Sequence, residues 1–192
     1  MTAGSGILHQ EYHEEEFSKK GGTFQMVQMW VNLPAKDKET APKYQDLLGS
    51  EMTKVELNNG AGYVNVIAGD YQGQVGKGTT FSPMHLFNTY LNVGGKAQFD
   101  FPNDYNTAFL VIEGAVRVND SEEIQKDSFV LMENGKYVQF SLEALTENTI
   151  VLLMSGQPLN EPVAHYGPFV MNTEEQLKQA FQEFKDGKFG AL

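Results

Sequence analysis

Between Thr53 and Met154 the chain is a series of short apolar or alternating segments, each cut by turn residues. Val55-Glu56-Leu57 stops at Asn58-Asn59-Gly60, Tyr63 to Ile67 at Ala68-Gly69-Asp70, His85 to Val93 at Gly94-Gly95, and Ala97 to Phe101 at Pro102-Asn103-Asp104. Tyr105 to Glu113 stops at Gly114, Ala115 to Val118 at Asn119-Asp120, and Phe129 to Met132 at Glu133-Asn134-Gly135. Tyr137 to Leu142 and Thr149 to Met154 close the series. Short strands at regular spacing with Gly, Asn and Asp between them predict an all-β sandwich or barrel.

The flanks read differently. Residues 1–20 suggest a short strand followed by a charged connector, Glu14 to Lys20, that ends at Gly21-Gly22. Thr23 to Val31 is apolar on both parities, as in a strand covered on both faces. Ala41 to Leu48 has the form of a short helix, with Pro42 in its first turn and Gly49 as its stop. Near the other end, Thr173-Glu174-Glu175-Gln176 is a capping box. Leu177, Ala180, Phe181 and Phe184 follow at helical spacing, and Gly187 is a natural stop, so a helix is expected from about Thr173 to Lys185.

Composition excludes several classes of function. The 192 residues hold 25 acidic and 14 basic side chains, a formal net charge of −11. That excess repels phosphate backbones and anionic lipid, so direct nucleic-acid or membrane-surface binding is not expected. Cysteine is absent, which removes disulfides, thiolate zinc sites and cysteine nucleophiles. No apolar run nears the roughly 20 residues of a membrane span, and the first residues do not form a signal peptide. A cytoplasmic protein is the expectation.

The residues that carry chemistry are few. His9 and Glu11 alternate, so on a strand both would face one side and could converge on one ion. Imidazole plus carboxylate suits a non-haem Fe(II) site with open positions. His13 lies four residues beyond His9, about 13 Å along a strand that rises roughly 3.3 Å per residue, too far to share an ion unless the chain bends. His85 reads as structural or solvated, His165, beside Tyr166-Gly167-Pro168, as a packing or hydrogen-bonding residue in a loop, Trp30 as packing, and Glu14 to Glu16 as a solvated connector. Gly73, Gly76 and Gly78 lack a following helix and a Lys-Ser/Thr pair, so they read as a β-loop and not a phosphate loop.

Five stretches together resemble the pirin family of the cupin superfamily: Met1-Thr-Ala-Gly-Ser-Gly-Ile-Leu-His-Gln-Glu11, Gln28 to Ala35 with Tyr44-Gln45, Val66-Ile-Ala-Gly69, Phe109-Leu-Val-Ile-Glu-Gly114 and Tyr166 to Thr173. The resemblance covers essentially the whole chain. It implies a cupin-type antiparallel β-barrel (a double-stranded β-helix or jelly roll) with a C-terminal α-helix. Residues 1–20 would be the remnant of a first, metal-binding barrel, 21–157 a complete second barrel, and 158–192 a tail with the helix. Pirins hold one metal through an H-x-H pair and a later H-x-E pair. His9 and Glu11 match the second pair, with Glu11 also the candidate catalytic base. The H-x-H pair would precede Met1, as in a truncated product, a late start or a fragment.

The implied activity is that of a metal-dependent quercetin 2,3-dioxygenase, cleaving a flavonol ring with O₂. The implied cofactor is Fe(II) or another divalent metal, held weakly or not at all by two donors alone, so this chain is expected to be inactive by itself. The alternative is a non-enzymatic regulatory role as a pirin-like transcription cofactor that binds a protein partner. The second barrel, which has Asn103 to Thr107 where a metal cupin places its histidines, is expected to be metal-free. Apolar residues left uncovered, Ile7, Leu8, Phe17, Phe181 and Phe184, would favour a homo-oligomer.

Overall fold

The structure is a computed structural model that describes residues 1–191 apart from 134 and 136–138. The chain divides into two compact units, residues 45–159 and residues 1–44 with 160–192.

The 45–159 unit is a two-sheet antiparallel sandwich of the jelly-roll kind. Its strands are β1 (Thr53–Glu56), β2 (Gly62–Ala68), β3 (Asp70–Tyr71), β4 (Gln74–Val75), β5 (Met84–Leu91), β6 (Lys96–Asp100) and β7 (Asn106–Glu113). They continue as β8 (Ala115–Val118), β9 (Glu122–Gln125), β10 (Phe129–Leu131), β11 (Gln139–Ala144) and β12 (Thr149–Gly156). One sheet has the order β1-β2-β5-β12-β7-β10, the other β6-β11-β8-β9, and β3 pairs with β4 in a hairpin. The turn-punctuated pattern is therefore realised strand by strand. Residues 137 and 138, at the start of the segment expected to run to Leu142, lie outside the described residues.

Position in the sheet explains each strand's composition. β12 is central, bonded to β5 on one side and β7 on the other, with Thr149 opposite Leu91 and Leu153 opposite both Phe87 and Phe109. A strand with neighbours on both sides tolerates a continuous apolar run, and Ile150-Val-Leu-Leu-Met154 is one, with Ile150 and Met154 only half-buried on the face away from the core. β6, at an edge, instead alternates exposed Lys96, Gln98 and Asp100 with buried Ala97 and Phe99. Between the sheets lie Phe87, Phe99, Phe101, Phe109 and Phe140 with Val64, Val111, Val151, Leu142 and Leu153. Each such side chain contributes roughly 1.5–3 kcal/mol by leaving water. The rings interlock, with Phe99 and Phe140 at 5.5 Å and Phe87 and Phe101 at 5.9 Å between centroids. The Thr107 and Ser155 hydroxyls, buried between β7 and β12, satisfy each other at 2.7 Å.

The second unit contains α1 (Glu15–Lys20), the hairpin β13 (Ala164–Tyr166) with β14 (Phe169–Met171), and α2 (Glu174–Lys185). The capping box holds: Gln176 N–H donates to Thr173 Oγ1 at 3.2 Å, and Thr173 N–H donates to Gln176 Oε1 at 3.0 Å. Leu177 and Ala180 are buried, and Phe181 meets Phe169 at 4.8 Å.

Four local expectations differ from what folds. Thr23 to Val31 is not a strand, and Phe24, Met26, Val27, Trp30 and Val31 are exposed. A strand needs a neighbouring ladder, and no described strand pairs with this segment. Ala41 to Leu48 is not a helix. Lys43 instead forms an isolated bridge with Thr2, and only Gly49–Glu51 makes a single 3₁₀ turn. Residues 7–11 lack strand pairing as well. The charged connector coils into α1, because Glu14 accepts from Glu16 N–H and Phe17 N–H at its start and Lys19 pairs with Glu15 at 2.7 Å.

Candidate functional site

His9 and Glu11 are exposed on irregular backbone. Over residues 1–9 burial nevertheless alternates: Thr2, Gly4, Gly6 and Leu8 are shielded, while Met1, Ala3, Ser5, Ile7 and His9 are exposed. The segment is not in a sheet: it turns at Gly4-Ser5, where Gly6 N–H donates to the Ala3 carbonyl at 2.9 Å, and His9 is exposed beyond that turn. An imidazole and a carboxylate suit Fe(II) or another divalent ion, yet a facial triad needs a third donor. Among the described residues no group of three or more His, Asp or Glu side chains stands close enough to hold an ion. Two such side chains do not complete a metal site on their own.

The other histidines pack. His13 lies 4.7 Å from the Phe24 ring and 6.0 Å from that of Phe17. His85 sits at one end of the barrel core, its ring 5.1 Å from Phe101 and 5.8 Å from Phe87, with Nδ1 3.2 Å from the Asp70 carbonyl oxygen. His165 falls on β13, not in a loop. Its Nε2 is 3.1 Å from the Gly167 carbonyl oxygen, and its ring meets Trp30 edge-on at 6.2 Å. The interior of the 45–159 barrel is filled by the phenylalanine cluster. Tyr71 lies within it, its ring 5.5 Å from Phe87 and 5.6 Å from Phe99, and burial pushes its phenol pKa up to about 12. Gly73 closes the tight β3–β4 hairpin, donating its N–H to Asp70 Oδ1 at 3.1 Å.

Two features escaped the sequence. In the 1–44 and 160–192 unit, the buried Lys38 donates from Nζ to Asn32 Oδ1 at 2.7 Å and to the Val170 carbonyl at 3.1 Å. Glu161 Oε2 accepts from Ala35 N–H at 2.7 Å and from Asn172 Nδ2 at 3.3 Å beside it. Burial holds the Lys38 ammonium below its ordinary pKa, and the Glu161 charge offsets part of that. Nothing in Lys36-Asp37-Lys38 marks which lysine turns inward. The second feature is a cleft of about 320 Å³ in the 45–159 unit, lined in part by Glu56, Tyr63, Tyr90, Asn92 and Asn148. Tyr63 and Tyr90 stack at 4.6 Å, and the Lys54 ammonium stands 4.0 Å above the Tyr63 ring. This cleft is on the face of the sheet away from the core, since the neighbouring Val64, Thr89 and Val151 point inward.

The two-sheet jelly roll with a phenylalanine-filled interior, followed by a capped C-terminal helix, defines a cupin. Residues 86–190 match the family described as the pirin C-terminal cupin domain, and the chain belongs to the pirin family. It is 41% identical over 189 residues to a candidate quercetin 2,3-dioxygenase of Pseudomonas aeruginosa, covering 98% of this chain and 65% of that protein. Mouse pirin is 34% identical over 193 residues, covering 99% of this chain and 64% of its own length. The crystal structure of a quercetin 2,3-dioxygenase from Acinetobacter baumannii superposes with a TM-score of 0.93 at 42% identity, again covering 98% of this chain and 65% of that one. The chain therefore spans about 65% of the length of these relatives. Among the described residues no helix is long and apolar enough to cross a membrane.

Proposed function

We propose that this chain works in pirin-type dioxygenase chemistry, the O₂-dependent cleavage of a flavonol-like small molecule in the cytoplasm. In this reading residues 1–20 close a first cupin barrel and the barrel that follows is a metal-free brace. The observation that carries the reading is the near-complete match of this chain to a solved quercetin 2,3-dioxygenase. His9 and Glu11 are its H-x-E donor pair toward Fe(II) or another divalent metal, and Glu11 is its candidate proton acceptor. A bound metal of this kind supplies O₂ activation. What the chain's own residues contribute is one imidazole and one carboxylate, both exposed on irregular backbone.

Two donors hold a divalent ion poorly. The purified 192-residue chain, supplied with Fe(II) and quercetin, is accordingly expected to consume O₂ at no more than the background rate. Fusing the H-x-H segment of a full-length pirin ahead of residue 1 is expected to give turnover that His9→Ala abolishes. A fused chain without turnover would overturn the proposed chemistry; turnover by the unfused chain would overturn the incomplete donor set, and fused-chain turnover indifferent to His9→Ala would overturn the donor role of His9.

The alternative, a non-enzymatic pirin-like regulatory role through a protein partner, is favoured by one observation. Phe24, Met26 and Trp30 are 54%, 60% and 61% exposed within a single stretch. The same stretch could be covered by a second copy. Sedimentation of the chain with and without Trp30→Ser tests that form of it: a monomer at all concentrations would argue against self-association.

A further inference from the structure

The segment that carries His9 is held by separate backbone bonds and not by a strand ladder. Thr2 N–H donates to the Lys43 carbonyl at 2.7 Å, and Ser5 N–H donates to the Thr40 carbonyl at 2.9 Å. Leu8 N–H, one residue before His9, donates to the Phe189 carbonyl at 3.0 Å. The two shielded glycines between these bonds are required. Gly4 has φ +52° and lies against the Thr40 carbonyl; Gly6 has φ +112° and lies flat against the Phe189 ring, where a Cβ would overlap ring atoms. The Phe189 ring is itself seated, 5.9 Å from Phe169 and 6.3 Å from Phe184. The aromatic group beside α2 and β14 thus reaches the segment that bears the donor pair, through a single residue.

We propose that Phe189 is a positioning residue for His9 and Glu11: its carbonyl and its ring, clasping Leu8 and Gly6, set the register in which the donor pair leaves the fold. Gly6 is the matching half of the clasp. The clasp follows from the geometry alone, whereas its role toward the donor pair rests on the reading of His9 and Glu11 given above.

Amide hydrogen exchange and a Co(II) titration, both followed by NMR on the 192-residue chain, test the two parts separately. Phe189→Ala and Gly6→Ala are each expected to lower protection of the Leu8 and Ser5 amides at least tenfold, and Phe189→Tyr to keep it within about twofold of wild type. Amides of Ala180 and Phe181 in α2, in the same unit as Phe189 and Gly6, should stay protected throughout, which shows that the variants fold. Co(II) should broaden the His9 imidazole signals of the wild type and of Phe189→Tyr at about the same concentration. Phe189→Ala should need about tenfold more.

Unchanged Leu8 protection in Phe189→Ala would overturn the clasp. Lost protection with an unchanged Co(II) response would make the clasp structural only and overturn the positioning role. Absence of any Co(II) effect at His9 in the wild type would overturn the positioning role in this chain, while the exchange data would still decide the clasp.

Discussion

Tyr71→Phe should stabilise the protein, by an amount that grows in alkali. The Tyr71 side chain is 4% exposed, and its hydroxyl finds no hydrogen-bond partner among the described residues. Its ring packs edge-on against Phe87 at 5.5 Å, and phenylalanine keeps that contact. Removing a buried hydroxyl without a partner recovers part of a desolvation cost of roughly 1–3 kcal/mol, so a gain of about 1 kcal/mol is expected at pH 7.

The alkaline part follows from the raised phenol pKa, which burial pushes up to about 12. Between the ordinary tyrosine value and that one, the unfolded chain releases this proton and the folded chain keeps it. The contribution is therefore fully present below about pH 10 and lost as pH rises toward 12. Tyr71→Phe removes that loss, and the other tyrosines cancel between variant and wild type. One unit of pKa difference corresponds to about 1.4 kcal/mol. With allowance for solvent reaching the site, the gap should widen by roughly 1 kcal/mol between pH 9 and 11. Urea unfolding followed by far-UV circular dichroism measures it. A variant less stable than wild type by more than about 1 kcal/mol at pH 7, or a gap constant with pH, would refute the reasoning.

Phe87→Ala, at a fully buried position in the ring cluster, should cost about 3–5 kcal/mol. Phe129→Ala, on an edge strand and 62% exposed, should cost under about 0.5 kcal/mol; equal midpoints in urea would deny the packing described. Thr173→Ala should remove about 1 kcal/mol from the end of the C-terminal helix, seen as faster amide exchange across Glu174–Lys185 with the barrel unaffected. Burial lowers the Lys38 pKa, so the folded state gives up that proton before the unfolded chain does and the group's contribution improves as pH climbs toward 10.5. Lys38→Met should abolish that rise in the urea midpoint relative to wild type, and parallel pH curves would contradict it.

What could be read in advance follows a physical division. The barrel strands were legible because turn residues and side-chain parity are local signals, and the helix start because a capping box is spelled out in Thr173 to Gln176. Residues 23–31 misled because their two apolar faces describe a strand that has neighbours, and the neighbours are not encoded in the segment itself. The same reason explains His9 and Glu11: their alternation was readable, whereas the backbone that holds them is set by Thr40, Lys43 and Phe189, distant in sequence. Lys38 and Glu161 were invisible for a related reason. Their polar knot joins stretches more than a hundred residues apart, as the Ala35 bond to Glu161 illustrates with a separation of 126.

The place of β12 in the larger sheet has a consequence for how the protein is made. It is the last barrel strand to leave the ribosome, yet it lies between β5 and β7 and supplies both with a hydrogen-bonded neighbour. Until residue 156 has emerged, each of those strands shows the nascent chain a bare apolar edge, and local pairing cannot close either one. Topologies governed by such distant pairings fold on the millisecond-to-second scale and expose sticky intermediates while they wait. Slowing synthesis while β5 and β7 have emerged and β12 has not should therefore lower the soluble yield of this protein.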